Sequence, residues 1–557
     1  MQTLGSKMGP LFCLCLQLVP CLLLFQETHA AHHGGISLRS QHIALLHWKA
    51  TLASIPLHMS SWQENTRPCN WTGIMCTAVR HGRRMPWVVT NISLPDAGIH
   101  GQLGELNFSA LPFLTYIDLR NNTLRGALPP SINSLSALSV LDLSYNQLTG
   151  KIPSEIADLQ SLMLLDLSFN RLAGHIPASL GNLTMLTDLL IHQTMVSGPI
   201  PEESGRLVNL KNLQLSNNTL SGMIPKTLGN LTQLNTLFLF GNQLSGPIPQ
   251  ELGRLVHLQI LQLDSNDFSG PIPISVTNLT KMNTLSLSKN QLTGSIPPEL
   301  GNLTLLNELF LYTNQITGLI PPELGNLAML NDLSLYTNQI TGPIPLELGN
   351  LLNLQILDLD DNQIFGSIPG SLGNITKLAK LFLSINQITG PIPLELGNLL
   401  NLQTLELANN QVFGSIPGSL GNITKLVELS LSVNKITGSI PQEIGNLINL
   451  EYLGLHQNQI SGSMPKTLGK LQSIQELQIF DNKLSGTLPD EFGDLMSLVH
   501  LGLSENSLLG PLPANICSGG RLQYLGVSSN MFNGPIPSSL KTCTSLVLID
   551  LMSNQLT

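Results

Sequence analysis

Residues Leu141–Pro153 read LDLSYNQLTGKIP, and close copies of this string recur every 24 residues along most of the chain. Stepping by 24 from Asn146 meets asparagine from Asn122 to Asn554, with Thr194 as the one exception. Glycine follows four residues after each of these positions, from Gly126 to Gly534, and proline seven after, from Pro129 to Pro537. An unbroken period of this length specifies a solenoid, in which each coil buries its leucines against its neighbours.

The repeat can be read position by position. Leu141 and Leu143 alternate with Asp142 and Ser144, so a short strand buries two leucines and turns its polar side chains outward. The asparagine then sits where the chain turns inward. Its amide can pair with main-chain groups that would otherwise be buried without partners. Stacked coils therefore predict a ladder of asparagines. The glycine permits a backbone conformation or a close approach that a side chain would block. The proline ends the next extended segment, and the xxLGNLxxL stretch returns the chain along the far side. With strands about 4.8 Å apart, some 19 coils make an arc on the order of 90 Å long.

Composition fits this picture. The 557 residues include 48 glycines and 35 prolines, but only 4% aromatic and 11% charged residues. Many short, similar elements are implied rather than one compact core. The net charge of −9 argues against nucleic acid or an anionic membrane surface as the main partner.

The N-terminus reads as an export signal over residues 1–30. Lys7 precedes the apolar run Leu11–Phe25, and Ala30 and Ala31 offer a cleavage point. The run is shorter than the roughly 20 residues of a spanning helix. Cys13, Cys15 and Cys21 leave with the signal, and Cys69, Cys76, Cys517 and Cys543 remain. An even number in an oxidising compartment suggests two disulfides. Cys517 and Cys543 fall on adjacent coils, a spacing compatible with a bond. Eleven glycosylation sequons fit the same route: Asn70, Asn91, Asn107, Asn121, Asn182, Asn217, Asn230, Asn278, Asn302, Asn374 and Asn422. Six of them, from Asn182 to Asn422, share one GN[LI]T slot, which places their glycans in a strip away from the strands.

The pattern L-x-x-L-x-L-x-x-N-x-L-x-G-x-I-P resembles the plant-specific class of leucine-rich repeats. The segment before it, with ALLHWKATL at Ala44–Leu52, SSW at Ser60–Trp62 and PCNWTGIMC at Pro68–Cys76, is similar to that family's N-terminal cap. The resemblance implies an α/β leucine-rich-repeat solenoid: a right-handed superhelical arc of about 19–20 coils with a parallel β-sheet on the concave face. It also implies a Cys69–Cys76 disulfide in a helical cap. The expected organisation is signal 1–30, cap 31–87 and repeats 88–557, the last repeat incomplete. The chain is most similar to extracellular arms of plant leucine-rich-repeat receptor kinases, among them the male-discoverer-interacting class. Those proteins continue into a membrane helix and a Ser/Thr kinase. Here neither a kinase glycine-rich loop nor an H-R-D triplet occurs, and the expectation is a truncated receptor without kinase activity of its own.

In such solenoids the concave face binds. The positions four, two and one residues before the asparagine column are expected to be exposed. They hold the acids Asp118, Asp142, Asp166, Asp264, Asp358, Asp360, Asp361, Glu406, Asp481, Glu505 and Asp550, against only two bases, Arg120 and Lys289. Three acids on one coil, Asp358, Asp360 and Asp361, repel one another unless a partner supplies positive charge; the plain alternative is a solvated face. Phe238, Phe240, Phe310, Tyr312, Tyr336 and Phe382 form an aromatic patch, suited to anchor a peptide or sugar or simply to pack across strands. A 48-residue pair of coils is nearly duplicated, and Asp358, Asp360 and Asp361 correspond there to Glu406, Ala408 and Asn409. Thr194 reads as a tolerated gap in the ladder. Arg80, Arg83 and Arg84 read as a solvated loop, and His32 and His33 as a poor metal site.

These features predict an extracellular sensor arm, without metal or cofactor. It would bind a secreted peptide or cell-wall-derived signal for defence or development, with a leucine-rich-repeat co-receptor kinase completing the interface. The expected location is the plasma membrane's outer face, reached through a missing C-terminal part, or the apoplast if the chain is complete. The rival is a soluble inhibitor of cell-wall-degrading enzymes, resembling polygalacturonase inhibitors. An enzyme is the third choice, because no nucleophile–base pair, metal cluster or phosphate loop is visible.

Overall fold

The computed structural model describes residues 37–80 and 85–557. The export segment, His32, His33, Arg83 and Arg84 lie outside the described residues. The described residues open with one α-helix, Leu38–Thr51, whose Ser40 amide is capped by the Ser37 side chain. Its buried face, including Leu45 and Trp48, covers the apolar end of the first coil. Trp62 and Trp71 stack at 5.1 Å beneath it. The Trp48 indole donates to the Gln102 carbonyl at 3.1 Å, tying cap to solenoid. Cys69 and Cys76 are bonded, with Cα atoms 5.3 Å apart.

Strands Ile74–Ala78 and Trp87–Ser93 pair antiparallel, and Trp87–Ser93 then starts the parallel sheet by pairing with Tyr116–Asp118. From there each coil adds one three-residue strand in register, giving a 21-stranded sheet. A second set of short strands, such as Gln147–Gly150 and Arg171–His175, stacks behind the turn. The return side is a column of 3-10 helices, among them Ser154–Asp158 and Ala178–Asn182. Apart from the cap helix, the helices of the described residues are thus 3-10 rather than α. Each is five residues or fewer, too short to build an α-helix, and from Pro130–Ser134 onward each is opened by the proline of its coil. One apolar core of stacked Leu and Ile columns runs from Leu45 to Cys543.

The asparagine ladder forms as the sequence predicts. Asn146 Nδ2 donates to the carbonyls of Leu119, Leu143 and Ser144 at 3.0–3.1 Å, and its Oδ1 accepts the Leu124 amide at 2.9 Å. Thr194 does not leave a simple gap. Its hydroxyl and amide both donate to Asn218 Oδ1, so the next rung supplies the missing partner.

Two glycine columns have separate causes. Gly126 adopts φ +83°, where a side chain is strained. Gly181 has no such angle, but a Cβ there would come within 2.3 Å of the Glu203 carbonyl on the next coil. The glycine of each GN slot thus sets how closely coils approach. Cys517 and Cys543 are also bonded, Cα atoms 5.9 Å apart. Among the described residues no helix is long and apolar enough to cross a membrane.

Candidate ligand-binding face

In the repeat strands from Tyr116–Asp118 to Tyr524–Gly526 the middle residue is buried and its two neighbours face outward, as in Ile356–Asp358. The outer face therefore carries two columns, six and four residues before each asparagine. In-register pairing puts Asp358, Phe382 and Glu406 in one row across three coils. The parallel row runs Asp332, Ile356, Lys380, Thr404 and Glu428. Asp332, Lys380 and Glu428 were not among the expected site residues. The alternation that places Asp358 outward places Ile356 and its column outward too, and that was the available signal.

Asp360 follows the strand, and its carboxylate accepts the Ser384 amide of the next coil. Asp361 does not share the strand face. It stands at φ +50°, in the left-handed turn that every coil makes before its asparagine. Asp481 and Glu505 occupy the same turn position, as does Lys289. The position preceding the asparagine is thus a rim, not a strand position.

The acids fall into two electrostatic classes. Near the N-terminus Arg120 reaches Asp118 at 3.8 Å and Asp142 at 3.7 Å. Asp118 was expected on the exposed face but is only 2% exposed, because Arg120 and the Tyr116 hydroxyl close over it. Asp166 is half-buried and accepts the Ser168 hydroxyl at 2.6 Å; burial pushes its pKa up to about 6. Asp264 accepts the Ser286 hydroxyl at 3.0 Å, and burial raises its pKa as well.

The central acids have no ion pair, although Asp332 accepts the Ser334 hydroxyl at 2.8 Å and the Lys380 charge acts on Asp332 and Glu428. None of the ion pairs among the described residues reaches Asp332, Asp358, Asp360, Glu406 or Glu428. Burial, and then repulsion from neighbouring carboxylates, pushes Asp360 up to about 8 and Glu406 up to about 7. Asp332 and Asp358 rise to about 6, chiefly through burial. Glu428 is raised by burial against the pull of Lys380.

The aromatic residues are half-buried, and all but Phe382 have a ring neighbour within the patch. Phe238 and Phe240 lie 5.9 Å apart, and Phe310 and Tyr312 lie 6.3 Å apart. Tyr312 stacks on Tyr336 at 4.4 Å. Burial pushes the Tyr336 hydroxyl up to about 12. Phe382 lies between the two acids of its row. Two further ring pairs escaped the sequence reading: His456 stacked on Phe480 at 4.5 Å, and Tyr145 stacked on Phe169 at 4.0 Å. Among the described residues no group of histidine, cysteine or carboxylates is placed to hold a metal ion.

The six GN-slot asparagines, Asn182, Asn230, Asn278, Asn302, Asn374 and Asn422, each end a 3-10 helix and are exposed. They are off the strand face. Asn70 and Asn107 are also exposed outside the strands, Asn91 is half-buried within one, and Asn121 and Asn217 stand in left-handed turns. Arg80 is exposed.

Comparison with known proteins agrees with this architecture. Residues 38–77 match the leucine rich repeat N-terminal domain, and residues 100–244 and 215–342 match the leucine-rich repeat region. Residues 400–460 and 448–508 match the leucine rich repeat. The crystal structure of PEPR1-AtPEP1 is similar, with TM-score 0.80 and 31% identity over 93% of this chain and 79% of that one. The Arabidopsis receptor kinase HAESA, with the peptide hormone IDA and the co-receptor SERK1, gives TM-score 0.72 and 31% identity over 93% and 94%. The leucine-rich repeat receptor-like serine/threonine-protein kinase RGI4 of Arabidopsis thaliana is 37% identical over 120 residues, 21% of this chain. That match spans 10% of the relative's own length. The families matched are leucine-rich repeats and their N-terminal cap. The chain belongs to the family of plant leucine-rich-repeat receptor ectodomains.

Proposed function

We propose that this chain is the ligand-recognition region of a plant cell-surface receptor that takes up a basic segment of a secreted peptide on its central strands. The observation that carries this reading is the contrast between two sets of acids on one face. Asp118 and Asp142 already have Arg120, whereas Asp332, Asp358, Asp360, Glu406 and Glu428 have no basic partner within ion-pair distance. Half-buried acids without a basic partner are costly to ionise, in line with the raised pKa values of Asp360 and Glu406, and a cationic ligand group relieves that cost. Phe382 between Asp358 and Glu406, with Tyr312 and Tyr336 nearby, offers flat apolar contact to the same ligand. Phe238, Phe240, Asp264 and Phe310 extend the strip towards the N-terminus. Related ectodomains solved with peptide hormones and a co-receptor support a peptide ligand and a leucine-rich-repeat co-receptor kinase as partners. In this reading the protein works at the extracellular side of the plasma membrane, in defence or developmental signalling.

A photo-crosslinking residue at position 382 tests the reading, with a synthetic lysine- and arginine-rich peptide as probe. Crosslinking is expected in the wild-type background and its loss when Asp358, Asp360 and Glu406 are replaced by lysine. Equal crosslinking in both backgrounds would overturn the acidic subsite.

A further inference from the structure

Asn121, Tyr145, Phe169 and Gln193 follow one another at the same left-handed turn of four successive coils, with φ between +51° and +53°. An aromatic residue at a left-handed angle is uncommon, because its Cβ crowds the backbone. Elsewhere in this turn column the chain uses no aromatic residue. Tyr145 and Phe169 are therefore the two aromatic residues of this column, and they fall on adjacent coils.

Their rings are nearly parallel, 13° apart, at 4.0 Å. The edge of His192 closes on Phe169 at 5.1 Å and 82°. Phe169 covers one face of Tyr145, yet Tyr145 is still 51% exposed. Its open face looks along the column to the coil of Asn121. The Asn121 side chain bends away from it, donating to Asp96 on the preceding coil. Beside these rings lies a shallow groove of about 420 Å³, edged by Asn121, Tyr145, Gln147, Phe169, Arg171 and Gln193 and floored by the ladder residues Asn122, Asn146 and Asn170. It combines a flat aromatic wall, three primary amides outside the ladder (Asn121, Gln147 and Gln193) and a single charged group.

We propose that this groove is a saccharide-binding subsite in which a pyranose ring lies against the open face of Tyr145. An aromatic face accepts the C–H groups of a flat sugar ring, and amides that donate and accept at once suit vicinal hydroxyls. Arg171 adds a donor fork for a hydroxyl or a uronate carboxylate. The site lies on the rim and outside the acidic rows, and it does not depend on the peptide reading. The sugar has two possible sources. Asn121 begins an N-x-[ST] sequon with Thr123. Its own glycan could swing from Asp96 onto Tyr145, or a free oligosaccharide could enter from solvent.

Saturation-transfer NMR on the full chain, secreted from a glycosylating host, distinguishes these sources. The probes are N,N′-diacetylchitobiose and tri-galacturonate, applied to wild type, Asn121→Gln and each combined with Tyr145→Ala. Transfer to a probe in wild type, weakened at least about tenfold by Tyr145→Ala, assigns the groove to free sugar. Silence in wild type with transfer in Asn121→Gln, again lost with Tyr145→Ala, assigns it to the chain's own glycan. Tyr145→Leu replaces Tyr145→Ala should the latter fail to fold, since it keeps bulk and removes only the flat face. No transfer in either wild type or Asn121→Gln overturns the subsite. So does transfer that is undiminished by loss of the Tyr145 ring.

Discussion

Asn218 Oδ1 accepts hydrogen bonds from both the hydroxyl and the amide of Thr194, the residue that stands in the asparagine column one coil earlier. Elsewhere that oxygen's counterpart serves a single amide two residues further on, as Asn146 Oδ1 serves Leu124. The hydroxyl satisfies the rung but cannot donate to three carbonyls at once, as the Asn146 amide does. Thr194→Asn is therefore expected to stabilise the protein by about 1 kcal/mol, and Asn146→Ala to destabilise it by about 2–4 kcal/mol through carbonyls left unpaired. Denaturant melts of both variants check this. A loss of stability in Thr194→Asn would show that the irregular rung is preferred where it stands.

Close approach at the GN slot makes a second prediction. Gly181→Ala would press a Cβ against the Glu203 carbonyl at 2.3 Å and should cost about 1–3 kcal/mol. Gly104→Ala is the matched control, with its nearest atom at 3.9 Å and no positive φ, and should be nearly neutral. Thermal melting of the pair separates coil spacing from a general intolerance of alanine.

The central acids predict a pH dependence. Asp360, at about 8, and Glu406, at about 7, lie above the ordinary carboxylate range near 4. The native state then binds these protons more tightly than the unfolded chain does. Their contribution to stability is complete below about pH 4 and is lost as pH rises through 7 to 8. Burial lowers the pKa of His192 and His456, which act in the opposite sense below about pH 6.5. The clean window is therefore about pH 6.5–8.5, above the histidine range and across these two carboxyls. Melting temperature should fall across it, and Asp360→Asn should flatten the fall. A melting temperature that rises across the window, or a slope that Asp360→Asn leaves unchanged, contradicts the assignment.

Much of this was legible in the spacing alone. A strict period fixes which residues repeat, so the asparagine column, the glycine and proline columns and the buried leucines could be read directly. What a period does not carry is backbone angle. Asp361, Asp481 and Glu505 looked like strand residues, yet they occupy the left-handed turn. Nor does it show where a strand begins. Starting the strand at Leu357 rather than Ile356 hid the second outward column, and with it Asp332, Lys380 and Glu428. Asp118 was misplaced for another reason: its burial depends on Arg120 and Tyr116, contacts that no repeat position dictates.

The most direct test of the recognition reading is the affinity of a lysine- and arginine-rich peptide at pH 8, for wild type and for Asp358→Asn/Asp360→Asn/Glu406→Gln. Removing charge without bulk leaves the Phe382 contact and the fold in place. Calorimetry should show binding weakened by about tenfold or more, the worth of one or two desolvated charge pairs. It should also show a steep loss of wild-type affinity with salt. Equal affinity for the two proteins, at every salt concentration, would contradict an acidic ligand face on the central coils.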